Sequence, residues 1–184
     1  MIRIAAFALS AVLLAGCGSM NVASDGADSR LMLRGHDPVA YFTVGKPVPG
    51  RADLKADYQG VTYRFASEDN RRLFLANAAK FAPQYGGWCA NGLVYAIPLG
   101  GEVENFKIID GKLYMFGGIR SKLYFEMEQE KNVKLADHYW ESEVKDSNWR
   151  LQSWKRVWIA KVPHYKTNRD LAEEYEKRFG KKPG

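Results

Sequence analysis

The sequence predicts an α+β fold: a small core of short antiparallel hairpins and short helices, followed by a helical C-terminal region. Three observations carry this. Val61, Tyr63 and Phe65 alternate with Thr62 and Arg64, the period-two pattern of a strand with one buried face. Phe106 to Ile109 and Lys112 to Phe116 flank Asp110-Gly111, a dipeptide that supplies the positive φ angles of a type I′ hairpin turn. From Ser121 onward, apolar residues recur at helical spacing among charged ones.

The elements follow in order. Gly35-His36-Asp37-Pro38 is turn chemistry, and Val39 to Thr43 reads as a short apolar strand. Lys46-Pro47-Val48-Pro49-Gly50 is a loop, because proline lacks the N–H that a central strand needs. Leu54 to Tyr58 and Val61 to Phe65 form a hairpin across Gln59-Gly60. Ser67 caps a helix that runs to about Ala76, with Glu68 and Asp69 at its positive end and Leu73 and Phe74 as its buried residues. Asn77 caps a second short helix, ended by Pro83. Gly86 and Gly87 break the chain before Trp88-Cys89, and Gly117-Gly118 ends the second hairpin. Ser121 to about Val144 is helical, and the tryptophan-rich stretch Asn148 to Lys161 ends at Pro163. Trp154 and Trp158 share one helix face, expected to pack on the core. Thr167 caps a last helix in which Leu171, Tyr175 and Phe179 recur every four residues, with Gly180 as the stop.

The first residues set a compartment. Arg3 is followed by an apolar run, Ile4 to Leu14, and by Leu14-Ala15-Gly16-Cys17. Spanning a bilayer takes roughly 20 apolar residues, whereas a signal-peptide apolar region has roughly 7–15. The segment resembles the bacterial lipoprotein signal. That resemblance implies removal of residues 1–16, acylation of Cys17, palmitate included, and a membrane contact through the lipid. Gly18, in place of an aspartate, implies the outer membrane, facing the periplasm, if the source is Gram-negative. The organisation expected is a signal peptide at 1–16, the lipidated cysteine and a flexible tether at 17–30, a core at 31–119, and a helical region at 120–184 packed on that core.

Composition adds bounds. Removing residues 1–16 leaves 168 of the 184, enough for one domain with a real core. The formal charge of +6 becomes +5 without Arg3, with basic residues interleaved among acids. This describes a solvated surface, or a weak affinity for anionic lipid or cell-wall polymer. Nothing resembles a nucleic-acid-binding arm, so no nucleic-acid partner is expected. The chain has two cysteines. With Cys17 acylated, Cys89 is left as a single thiol, which excludes an internal disulfide and is expected to be buried.

Gly35-His36-Asp37-Pro38-Val39-Ala40-Tyr41-Phe42, Tyr63-Arg64-Phe65-Ala66-Ser67, Asn70-Arg71, Lys80 to Ala90 and Ile109 to Tyr114 together resemble an exported bacterial YHS-domain protein, over roughly residues 33 to 149. The resemblance implies a small α+β core related to cysteine-rich metal-binding modules. Those relatives place cysteines where this chain has Ala40, Ala66 and Asn70, none of which is a thiolate ligand. No metal or other cofactor is therefore expected. Copper(I) handling by Cys89, with His36 and a methionine such as Met115, is an alternative, because copper(I) accepts few, soft ligands. No Gly-x-Ser-x-Gly or His-Glu-x-x-His occurs, and no catalytic residue is assigned; an uncharacterised enzyme is the second alternative. His36, Asp37, Tyr41, Tyr63, Tyr85, Trp88 and Cys89 form the candidate ligand pocket. The expected role is non-enzymatic: a lipid-anchored binding or scaffold protein of the cell envelope, with an envelope protein or the cell wall as partner.

Overall fold

Two tight turns organise the strands. Gln59-Gly60 and Asp110-Gly111 each place two successive residues at positive φ (51° and 71°; 49° and 72°), the geometry that reverses a twisted antiparallel pair. The computed structural model describes residues 19–184; the expected signal peptide at 1–16 and the expected acylation site Cys17 lie outside the described residues. Strands β1 (Val22–Ala23), β2 (Leu31–Met32), β3 (Arg51–Tyr58) and β4 (Val61–Phe65) form one sheet in the order β1-β2-β4-β3. β2 runs parallel to β4, and the other pairs are antiparallel. β5 (Glu102–Ile109) and β6 (Lys112–Phe116) form a separate hairpin.

Eight α-helices occur among the described residues: α1 (Ala40–Thr43), α2 (Glu68–Ala76), α3 (Ala78–Phe81), α4 (Ala90–Leu93), α5 (Ile119–Glu126), α6 (Gln129–Tyr139), α7 (Trp149–Trp154) and α8 (Asn168–Phe179). The fold is α+β, with its strands in the N-terminal half and its longer helices toward the C-terminus. The expected caps form. Ser67 accepts from Asn70 N, Asn77 accepts from Lys80 N, and Thr167 and Asp170 make a reciprocal capping box. Gly180 ends α8 in the left-handed conformation. No helix among the described residues is long and apolar enough to cross a membrane.

The core has two compartments with β6 between them. Leu113 and Met115 face the first, with Met32, Val39, Tyr63, Phe65 and Phe74. Tyr114 and Phe116 face the second, with Leu93, Phe125, Ala136, Val144 and Val162. Successive side chains of a strand point to opposite faces, so β6 is buried on both sides and shows no polar alternation.

Five expectations are corrected. Val39–Thr43 is not a strand: its last four residues are α1, because Asp37 Oδ1 accepts from the N–H groups of Val39 (2.8 Å) and Ala40 (3.3 Å) and starts a helical turn. Leu73 is exposed on α2, and Phe74 alone of the expected pair is buried. Ser121–Val144 is two helices, and its end widens into a π turn at Trp140–Val144. From Ser19 onward the expected tether is packed on the domain: Ser19 N donates to Lys145 O (2.7 Å), Asn21 Nδ2 donates to Gly87 O (2.9 Å), and β1 and β2 join the sheet. Gly86 is needed there, since a Cβ would sit 2.5 Å from Met20 Sδ and 2.9 Å from Ser19 O. Finally, Trp154 and Trp158 are 56% and 76% exposed instead of packed on the core.

Candidate functional site

The site begins at Asp37, which has no solvent exposure. Its Oδ1 takes the N–H groups of Val39 and Ala40, and its Oδ2 takes the N–H of Ala66 (2.8 Å) and the side-chain amide of Asn70 (2.7 Å). Local sequence builds each arm. Asp-Pro opens α1. Ser67 caps α2 through the backbone of Asn70, which leaves the Asn70 side chain free to reach Asp37. The carboxylate therefore pins α1 to the junction of β4 and α2 with four hydrogen bonds.

The other expected pocket residues are placed as follows. His36 lies in a turn bridged to Pro49, with Nδ1 3.0 Å from Leu33 O, so Nδ1 carries the donated proton. Tyr41 donates to Val103 O (3.1 Å) and meets Phe106 edge-on, and burial pushes its hydroxyl pKa up. Tyr63 is buried against Phe74 with ring centroids 4.7 Å apart, and burial raises its pKa as well. Tyr85 holds a left-handed backbone (φ 55°) and donates to Asp137 (2.8 Å); burial first, and this hydrogen bond second, raise its pKa. Trp88 Nε1 donates to Ser19 O (3.1 Å). Cys89 is 2% exposed; burial pushes its thiol pKa up, against smaller opposing hydrogen bonds from the backbone of Gly117, Gly92 and Asn91.

The seven residues do not converge on one pocket. Tyr41 and Tyr63 belong to the first core compartment, and Tyr85, Trp88 and Cys89 to the second. Two shallow cavities flank the motif. One of about 190 Å³ lies beside Asn21, Leu33, Gly87 and Val103, and one of about 180 Å³ beside Tyr58, Tyr85 and Trp140. Of the seven, Tyr85 alone reaches either cavity.

The family model of the YHS domain matches residues 39–85. These residues are a YHS domain. The match is narrower than the resemblance read over residues 33–149, and it ends at Tyr85, ahead of Trp88-Cys89. Neither a curated protein nor a solved structure matches the chain. The YHS domain here brings positions 40, 66 and 70 together, the three at which its resemblance to metal-binding modules implies cysteines. They converge on Asp37, and what they deliver is N–H. N–H donors repel a cation, and both oxygens of the one carboxylate present are already engaged. The residues at this focus do not fit a metal. Among the described residues, no three His, Cys, Asp or Glu side chains cluster in a way that could hold an ion. His138 is exposed on α6, and His164 Nε2 meets Val94 O at 2.8 Å between the rings of Tyr95 and Tyr139.

Two features escaped sequence reasoning. The first is an ion cluster under the N-terminal segment. Arg64 Nη2 and Nε reach Asp28 Oδ2 at 2.6 and 3.0 Å, Arg64 Nη1 reaches Asp25 at 2.6 Å, and Lys55 reaches Asp28 at 2.7 Å. The alternation of β4 puts Arg64 outward, and residues 25–28 then cover it. The second is the outward tryptophan face beyond Asn148, for which the spacing of Trp154 and Trp158 was the available signal.

Proposed function

We propose that the chain is a lipid-anchored protein of the cell envelope whose YHS domain is a non-enzymatic binding or scaffold module. The anchor is Cys17, and its support is the Leu14-Ala15-Gly16-Cys17 sequence after a short apolar run. The carrying observation for the domain's role is the Asp37 clamp: the motif's polar groups bind one another and so build the fold. The same holds for Tyr41 on Val103 O, Tyr85 on Asp137 and Trp88 on Ser19 O. Cys89 is 2% exposed and burial pushes its thiol pKa up, which disfavours the exposed thiolate that nucleophilic catalysis uses.

The test has two arms. Full-length chain expressed in a Gram-negative host should fractionate with membranes and carry an acylated Cys17 by mass spectrometry, and Cys17→Ser should lack the acyl mass. Detergent-purified chain loaded with copper(I) and desalted should retain no stoichiometric copper. Stoichiometric copper lost in Cys89→Ser would replace the scaffold role with metal handling. A soluble, unacylated wild-type chain would remove the anchor.

A further inference from the structure

Much of the segment from Trp149 to Ile159 is built inside out, with Trp149 on Trp88 and Val157 on the second core compartment as its inward apolar contacts. Gln152 is 7% exposed and donates to Ala96 O (3.2 Å) and Glu143 (3.0 Å). Ser153 donates to Pro98 O (3.3 Å), and Arg156 Nε meets Glu143 at 3.0 Å. These polar residues face the protein. Leu151, Trp154, Trp158 and Ile159, spaced between them, are 68%, 56%, 76% and 63% exposed. A surface helix of a globular protein does the reverse, with its apolar stripe inward. The outward face is flanked by Leu99, also exposed, from the loop on which α7 packs. Clustered exposed apolar side chains of this kind mark an interaction surface.

Two observations name the occupant. The first is charge. Residues 149–166 contain Arg150, Lys155, Arg156, Lys161 and Lys166 and no acid; Glu143 pairs with Arg156 and Lys155, and Glu174 with Lys166, so Arg150 and Lys161 are the basic groups without an acidic partner among the described residues. Tryptophan and aliphatic side chains beside Lys and Arg are the composition of helices that lie in an anionic bilayer interface. The second is position. Ser19 is held by Lys145 O and by Trp88 Nε1, and the Trp88 ring lies 5.2 Å from Trp149, the first residue of α7. Ser19, the first described residue, therefore lies beside the N-terminal end of α7.

We propose that Leu151, Trp154, Trp158 and Ile159 insert into an anionic phospholipid surface and seat the domain directly on the bilayer. The orientation rests on the Cys17 anchor; the affinity belongs to the patch. The patch and the anchor are then two signals for one membrane, and paired signals hold a protein there more firmly than one.

The test compares the full chain with its Cys17→Ser variant on vesicles of phosphatidylglycerol and phosphatidylethanolamine bearing brominated acyl chains. Tryptophan fluorescence is the readout. Quenching is expected in both chains, and Trp154→Tyr with Trp158→Tyr should remove most of it. In the Cys17→Ser chain, Trp154→Ser with Trp158→Ser should weaken vesicle binding at least about tenfold, from the apolar burial lost. Arg150→Gln and Lys155→Gln should each weaken it by about fivefold at low salt. All these side chains face solvent, and circular dichroism checks that the variants fold. Sedimentation of the wild-type chain with vesicles but without quenching of Trp154 and Trp158 overturns the docking and leaves the anchor standing. Quenching without acylation of Cys17 removes the anchor and upholds the docking. Failure of the Cys17→Ser chain to bind anionic vesicles overturns the docking, as does a dimer that the two serine substitutions dissolve.

Discussion

Asp37 gives the sharpest single-residue consequence. Asp37→Ala leaves two buried donors, on Val39 and Ala40, and two half-buried ones, on Ala66 and Asn70, without their acceptor, at about 1 kcal/mol each. We expect a loss of about 4 kcal/mol in unfolding free energy by urea titration. Asn70→Ala removes one arm and should cost about 1–2 kcal/mol. Cys89 is the second case. Its raised pKa leaves less thiolate than an ordinary cysteine has at the same pH, and its 2% exposure blocks reagents. At pH 8 a disulfide reagent should leave Cys89 unmodified in the folded chain and modify it fully in denaturant. Rapid modification of the folded chain would contradict the burial.

At the scale of elements, the ion cluster that clips residues 25–28 to β4 gives a pH dependence. The Lys55 ammonium, and then the Arg64 guanidinium, hold the Asp28 carboxyl below its usual value of 3.8. A depressed carboxyl stabilises the fold above its unfolded pKa, and that contribution is lost as pH falls through the folded value. The melting temperature of the wild-type chain should therefore drop below about pH 4. Asp28→Asn should start lower and fall less over that range, and parallel curves would refute the clip. The elements also differ in how legible they were. Both hairpins were readable because Gln59-Gly60 and Asp110-Gly111 are local turn chemistry. The caps at Ser67, Asn77 and Thr167 were readable because each side chain accepts from the backbone N–H only three residues on. The first turn of α1 was not, since four apolar residues suit a strand equally well and a buried carboxylate settles the matter. Residues 19–30 looked like a tether by composition, yet long-range partners at Arg64, Gly86 and Lys145 hold them down. The candidate pocket was not legible for a related reason: β6 separates Tyr41 and Tyr63 from Tyr85, Trp88 and Cys89, and the sequence does not show which side of a later strand each will face.

At the scale of the molecule, the YHS match at residues 39–85 is smaller than the folding unit. The second compartment joins Cys89, Leu93 and Phe116 to Phe125, Ala136, Val144 and Val162. A quarter of its buried residues, and all of the half-buried ones packed against them, come from beyond residue 119. A fragment ending at residue 119 should lose cooperative unfolding and bind a hydrophobic dye, whereas the full chain should melt in one transition. A fragment that melts sharply would make the C-terminal region an independent addition. The basic, tryptophan-bearing segment is thus held against the loop that follows α4, because its polar inner face is bonded to residues 96–98.

The packed N-terminal segment also has a mechanical meaning. A pull applied to the chain ahead of Ser19 first loads the Ser19–Lys145 hydrogen bond and the contacts of Asn21. It then reaches β1, whose two residue pairs with β2 would open one after another like a zip. Next in line are Asp25 and Asp28, where the charged contacts to Arg64 and Lys55 resist together. Tension at the N-terminus would release the segment in steps, freeing Ser19 from Trp88 and drawing Met20 and Val22 off the first core compartment along the way.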